Sequence, residues 1–106
     1  MRKLNLASIY KTVALATTRE RLTESHVSTP YLVFSAEVSN TGNVYIGDFN
    51  VSATNAFCEL DAGQKVEFDL EEIGMKGYFD LSKIWLAASI DTGGAYVGYL
   101  LEQDTD

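Results

Sequence analysis

Val38-Ser39-Asn40-Thr41-Gly42-Asn43-Val44-Tyr45-Ile46-Gly47-Asp48 is the stretch that decides how this chain reads. Asn40–Asn43 is a tight reversal between two apolar runs. Gly42, with Asn43 beside it, tolerates the positive φ that hairpin turns of the right twist require. The run before it, Tyr31–Val38, alternates: Leu32, Phe34, Ala36 and Val38 fall on one face, and Val33, Ser35, Glu37 and Ser39 on the other. After the turn, Val44 and Ile46 face one way and Tyr45 and Gly47 the other. The pattern predicts a hairpin of two half-buried strands.

The same alternation recurs on both sides. Upstream, Lys11–Thr18 sets Val13 and Leu15 against Thr12, Ala14 and Ala16, which reads as a strand, with a short helix competing because Ala and Leu are good helix formers. Arg19–Thr23 continues extended with Leu22 inward, and Glu24–Pro30 is a polar loop. Downstream, Asp48–Phe57 is less regular, with a short strand at Phe49–Ala53. Leu60-Asp61-Ala62-Gly63-Gln64 is a second turn. In Lys65–Leu70, Val66, Phe68 and Leu70 point in while Lys65, Glu67 and Asp69 point out. Glu71–Tyr78 is a loop. Lys83–Ile90 places Ile84, Leu86, Ala88 and Ile90 opposite Trp85. Asp91–Gly94 is a third hairpin turn, and Ala95–Leu101 is apolar on both faces. Seven or eight short strands at roughly ten-residue intervals predict an all-β antiparallel sandwich or jelly roll. Residues 1–10 read as an N-terminal arm, 11–101 as the sandwich, and Glu102–Asp106 as a loose acidic tail.

Composition agrees. The chain has 106 residues, one domain's worth, and a chain of this size buries about two thirds of its unfolded surface. It is 46% apolar, which argues against disorder, and rich in Tyr and Phe, which suits a pleated surface. The net charge of −7 repels phosphate and anionic lipid, so neither nucleic acid nor a membrane is the expected partner. Asn5, Ser8, Tyr10 and Lys11 interrupt the first residues, so the expectation is no signal peptide and no membrane span. Asn50-Val51-Ser52 matches a glycosylation sequon, an accidental match without secretion. One cysteine, Cys58, allows no internal disulfide and suits a reducing cytoplasm.

Residues that carry chemistry are few. His26 sits in a polar loop without a recognisable nucleophile, and reads as a solvated histidine. Cys58 lies between Phe57 and Glu59 without a basic neighbour, and reads as a small buried hydrophobe. Asp48 with Asn50, or Glu71 with Glu72, supply oxygen ligands but no EF-hand loop. Paired carboxylates in a chain this short leave little room for a glycosidase cleft. The reading is therefore no catalytic, cofactor or metal residue. Trp85, Tyr45, Tyr96 and Tyr10 fall opposite their strands' main apolar sets. Either flanking loops or the N-terminal segment cover them, or they form a contact surface; Trp85 and the last strand, apolar on both sides, favour a subunit interface.

The run Asn40–Gly47, then Val51-Ser52, then Leu60–Val66, then Asp80–Leu86 resembles a recurring set in small virion-associated β-sandwich proteins of tailed bacteriophages. Their pattern is N-T-G-x-V-Y-[IV]-G, V-S, L-x-x-G-x-x-[VI] and D-L-S-x-[IY]-[WY]-[VL]. The resemblance covers residues 11–101, and Cys58-Glu59 departs from it where small residues are expected. It implies a non-enzymatic virion protein, made in the host cytoplasm and placed on the capsid exterior. There it acts as a head decoration (cement) protein, or as a head-fibre, neck or tail component. The partners it implies are the major capsid protein or other virion proteins, and further copies of the chain in a homo-oligomer such as a trimer. The expected contact residues are Leu4, Leu6, Ile9, Tyr10, Tyr45, Trp85 and Tyr96. A carbohydrate-binding module with Trp85 and the tyrosines as a stacking platform is the reading from a different class.

Overall fold

The computed structural model describes the backbone of residues 2–70, 74, 77–91 and 93–104, and the side chains of 5–70, 74, 77–91 and 93–100. Strands β1 (Arg2–Val13), β4 (Tyr31–Ala36), β7 (Lys65–Asp69) and β10 (Gly93–Asp104) form one sheet in the order β1-β10-β4-β7. Strands β2 (Glu20–Arg21), β5 (Val44–Gly47), β6 (Cys58–Leu60) and β9 (Trp85–Ala88) form the other, in the order β2-β9-β5-β6. The short strands β3 (Ser28–Thr29) and β8 (Phe79–Asp80) pair as a separate ribbon. All pairings are antiparallel.

The eight strands of the two sheets, counted along the chain, pair first with eighth, second with seventh, third with sixth and fourth with fifth. That is the topology of a jelly roll: one long hairpin rolled into two facing sheets. The core lies between them. Val13, Leu32, Phe34 and Val97 from one sheet meet Val44, Leu86 and Leu60 from the other, with Leu81 closing one end. Buried Thr29 is satisfied there: its hydroxyl donates to the Tyr31 carbonyl and accepts from the Leu100 amide.

The topology corrects the expected hairpins. Asn40–Asn43 joins β4 to β5, and these lie in different sheets; the same is true of Leu60–Gln64 and of Asp91–Gly94. Among the described strands, only the β5–β6 connection stays within a sheet. Each expected hairpin turn is therefore a corner between layers. Gly42 serves its corner by close approach and not by positive φ: a Cβ there would meet the Ser89 hydroxyl and lie 2.7 Å from Ile90 Cγ2. Gly63, with φ at 77°, is the corner glycine that needs left-handed backbone. Asn40 ties the first corner to the last strand, its Nδ2 donating to the Gly94 carbonyl and its Oδ1 accepting from the Gly94 amide.

Other boundaries also move. Residues 2–10 are not an arm: they belong to β1, which pairs with β10 from Arg2↔Asp104 to Val13↔Gly93. The same pairing takes Glu102–Asp104 out of the expected tail. The strand expected over Lys11–Thr18 stops at Val13, and Thr17, at φ 63°, turns the chain away. Phe49–Ala53 is loop, and its strand-like pairing among the described residues is one isolated bridge, Ser52 to Asn55. Val38, expected inward, lies past the end of β4 and is 81% exposed.

Candidate docking face

A two-sheet sandwich has two outer faces, and here they are treated differently. Over the β2-β9-β5-β6 sheet the long β5–β6 connection folds back as a roof. Its shape is dictated locally. Asp48 Oδ1 accepts from the Asn50 amide, the Val51 amide returns to the Asp48 carbonyl, and Asn55 Nδ2 donates to the Asn50 carbonyl. These side-chain turns are what Asp, Asn and Ser favour over strand. They press Val51, 2% exposed, onto Tyr45 and Ala87, with Trp85 alongside. Val51 Cγ2 comes within 3.0 Å of where a Cβ on Gly47 would lie. Phe49 meets Trp85 edge-on at 5.1 Å, Arg21 lies over Trp85 at 5.3 Å, and Arg19 lies over Phe49 at 4.6 Å. Tyr45, expected as a contact residue, is buried. Trp85 is half-buried beneath its neighbours.

The outer face of the β1-β10-β4-β7 sheet has no such roof among the described residues. Alternation along β1 sends Asn5, Ala7 and Ile9 inward and Leu6, Ser8 and Tyr10 outward. Ile9 packs against the core, which removes it from the expected contact set. Leu4 carries a side chain outside the described residues. Leu6 is 89% exposed, and Tyr10 and Tyr96 about half exposed. Register places Tyr10 opposite Tyr96, and their rings tilt together at 4.7 Å between centroids. Gly94 and Gly98 on β10 leave a trough along the same face. The Tyr10 hydroxyl lies over Gly94, and Val33 Cγ1 lies 2.8 Å from where a Cβ on Gly98 would be. Around Gly98 the trough encloses about 290 Å³, lined by Leu6, Ala7, Tyr31, Val33, Tyr99 and Leu100.

Carboxylates tether the tyrosines at the rim. The Tyr10 hydroxyl donates to Glu37 Oε2 at 2.6 Å, and the Tyr31 hydroxyl to Glu67 Oε2 at 2.8 Å. Each carboxylate holds its phenol's pKa above the usual value, so both hydroxyls stay protonated and fixed as donors. The result is an apolar stripe, Leu6-Tyr10-Tyr96-Val33-Leu100, bordered by Glu37 and Glu67.

The residues read for chemistry are arranged otherwise than the sequence suggests. His26 does meet a serine, 56 positions away: its Nδ1 is 2.9 Å from Ser82 Oγ and 3.6 Å from Asp80 Oδ2. Ser, His and Asp together invite a triad reading, but the geometry is not one. The same ring nitrogen faces both partners, Ser82 is 3% exposed, and its hydroxyl donates to Asp80 Oδ1 at 2.7 Å. Asp80 caps the 3-10 turn Leu81–Lys83, accepting also from the Ser82 amide. The Ser82 hydroxyl, then its amide, then His26 hold the Asp80 carboxyl below its usual range. The local signal was present, since Asp-Leu-Ser is a capping sequence; the meeting with His26 had none. Cys58 is half-buried, and burial raises its thiol pKa, so it is not an activated nucleophile. Asp48 is used in its own turn, and Glu71 and Glu72 lie outside the described residues. Among the described residues no three His, Cys, Asp or Glu side chains cluster as metal ligands, and no helix is long and apolar enough to cross a membrane.

Comparison with known proteins gives little beyond this geometry. No family model matches the chain, and no curated protein matches it. Among solved structures, it is similar to a chain from work described as "Bacillus endospore appendages form a novel family of disulfide-linked pili". The TM-score is 0.44 at 16% identity, covering 94% of this chain and 88% of that one.

Proposed function

We propose that this protein is a non-enzymatic structural component of a tailed-phage particle that adheres to the assembled head as a decoration protein. The observation that carries the adhesive reading is the unroofed outer face of the β1-β10-β4-β7 sheet, with Leu6 fully presented and the Tyr10–Tyr96 pair fixed beside it. A contiguous apolar stripe with a polar rim is the anatomy of a contact surface. The phage setting is supported by the resemblance of Asn40–Gly47, Leu60–Val66 and Asp80–Leu86 to the virion sandwiches. In this mechanism each copy buries the stripe against the shell. Burial is worth about 25 cal/mol for each Å² of apolar surface removed from water. Because the decoration binds only the assembled shell, it stabilises that state by mass action.

The expected contact set narrows accordingly to Leu6, Tyr10 and Tyr96, joined by Val33 and Leu100, which alternation hides among core-like strands. A carbohydrate platform at Trp85 fits less well, because Phe49 and Arg21 occupy the surroundings of its ring.

The experiment is quantitative mass spectrometry of purified particles against the major capsid protein. A copy number comparable to the capsid protein is expected. A few copies per particle would move the protein to the neck, tail or fibre, and absence would remove the virion reading.

A further inference from the structure

Strand β7 ends its sheet, and among the described residues no strand pairs its other edge. Its hydrogen-bond phase follows from its neighbours. The Leu70 amide donates to the Pro30 carbonyl and the Ala36 amide to the Gln64 carbonyl. With Leu32 opposite Phe68 and Phe34 opposite Val66, the alternation of an antiparallel ladder makes these two the hydrogen-bonded pairs. Lys65 and Glu67 therefore aim their amides and carbonyls away from β4, towards the outer edge of the sheet. A groove lined by Val33, Lys65, Val66 and Glu67 runs beside it.

An open edge of this kind is a template for another strand. Charges on such edges usually block pairing, but here Lys65 is positive and Glu67 and Asp69 are negative, and that order selects a partner. Across a two-fold axis normal to the sheet, opposed residues must share a face, which leaves few registers. Centring on Lys65 or on Glu67 sets like charges against each other. Centring on Phe68 opposes Glu67 to an aspartate. Centring on Val66 alone gives two attractive pairs and no repulsive one.

We propose that β7 is a self-association edge: two copies pair antiparallel, with Val66 against the partner's Val66 and Lys65 opposite the partner's Glu67. The Lys65 pairs are hydrogen-bonded pairs of the new ladder, and the Val66 pair is not. Glu67 is already held on the outer face by the Tyr31 hydroxyl, where the partner's Lys65 arrives. Phe57, 72% exposed and 5.1 Å from Phe68 between ring centroids, lies at the same open side of the sandwich and adds apolar surface to the contact. The product is one continuous eight-stranded sheet whose two apolar stripes face the same way. A surface that engages both gains from the tether. The inference stands whatever that surface is.

The test is sedimentation equilibrium of the full chain over a concentration series at low salt. A monomer–dimer equilibrium is expected. Lys65→Glu and Glu67→Lys each turn two attractive cross-strand pairs repulsive and raise the dissociation constant by about tenfold or more, and the double swap Lys65→Glu/Glu67→Lys restores it. Restoration shows that the pairing of the two charges, and not the loss of either side chain, sets the association. In a Cys58→Ala background, Val66→Cys forms an interchain disulfide on mild oxidation, because Cα atoms of a non-hydrogen-bonded pair lie about 4.5 Å apart. A wild-type monomer at every concentration, a Lys65→Glu variant that associates like wild type, a double swap no better than its parents, or an uncrosslinked Val66→Cys would each overturn the proposal.

Discussion

Val51→Ala probes the asymmetry between the two outer faces. Val51 is 2% exposed and seals Tyr45 and Ala87 under the β5–β6 roof. Its truncation removes the equivalent of two buried methylene groups, about 1.6 kcal/mol at about 0.8 each, and the cavity left between roof and sheet adds to that. The expected loss is about 2 kcal/mol. For a domain of this size that is a fall in Tm of about 8 °C or somewhat more. Urea unfolding followed by Trp85 fluorescence measures it, with the midpoint falling and the slope m unchanged. Because Trp85 lies under the same roof, its native-state emission shifts to the red. Leu6→Ala is the control on the other face, where 89% exposure predicts a change within about 0.5 kcal/mol. If Val51→Ala is as mild as Leu6→Ala, the roof is not packed and the distinction between the faces fails.

Three further outcomes follow from named contacts. Gly42→Ala forces Ser89 to abandon the Asn43 amide it accepts from and crowds the Ile90 methyl; a loss of about 1–3 kcal/mol in thermal unfolding is expected, although the φ at Gly42 suits any residue. Asp80 has its carboxyl pKa lowered by Ser82, so its stabilising contribution is present above the ordinary carboxylate range and drains away as pH falls through the lower folded value. Asp80→Asn should therefore flatten the acid limb of the stability–pH curve; a limb unchanged from wild type would refute the cap. Cys58, half-buried with its thiol pKa raised, should react with a disulfide reagent far more slowly in the native protein than in urea, and equal rates would contradict its burial.

What the sequence made legible was face, and what it hid was partner. In Tyr31–Ala36 the inward positions alternate as the pattern required, and Leu22 is buried as expected. Strand identity in Lys65–Asp69 and Trp85–Ala88 was equally readable. Nothing local distinguishes a turn that folds a strand back beside itself from one that carries it to the opposite sheet. Asn and Gly serve both, so the corners at Asn40–Asn43 and Asp91–Gly94 read as hairpins. Residues 2–10 escaped because their inward set, Asn5, Ala7 and Ile9, is only weakly apolar, and because the partner strand lies at the far end of the chain. Tyr45 and Trp85 were placed on the correct face, but the roof above them is built from Asx and Ser turns that no alternation rule registers. Tyr96 was legible as an outward residue, and Leu6 only as a contact residue of an expected arm; the trough beside them needs Gly98 and Val33 in register, which only the sheet order supplies.

The most direct measurement is co-sedimentation of the purified protein with particles that lack it, comparing wild type with Tyr96→Asp on the unroofed face and Ala53→Asp on the roof. Both positions are exposed, so both variants keep the fold. Wild type and Ala53→Asp should pellet with the particles alike, and Tyr96→Asp should remain in the supernatant. A Tyr96→Asp variant that pellets like wild type, or an Ala53→Asp variant that alone fails to bind, would contradict the assignment of the docking face.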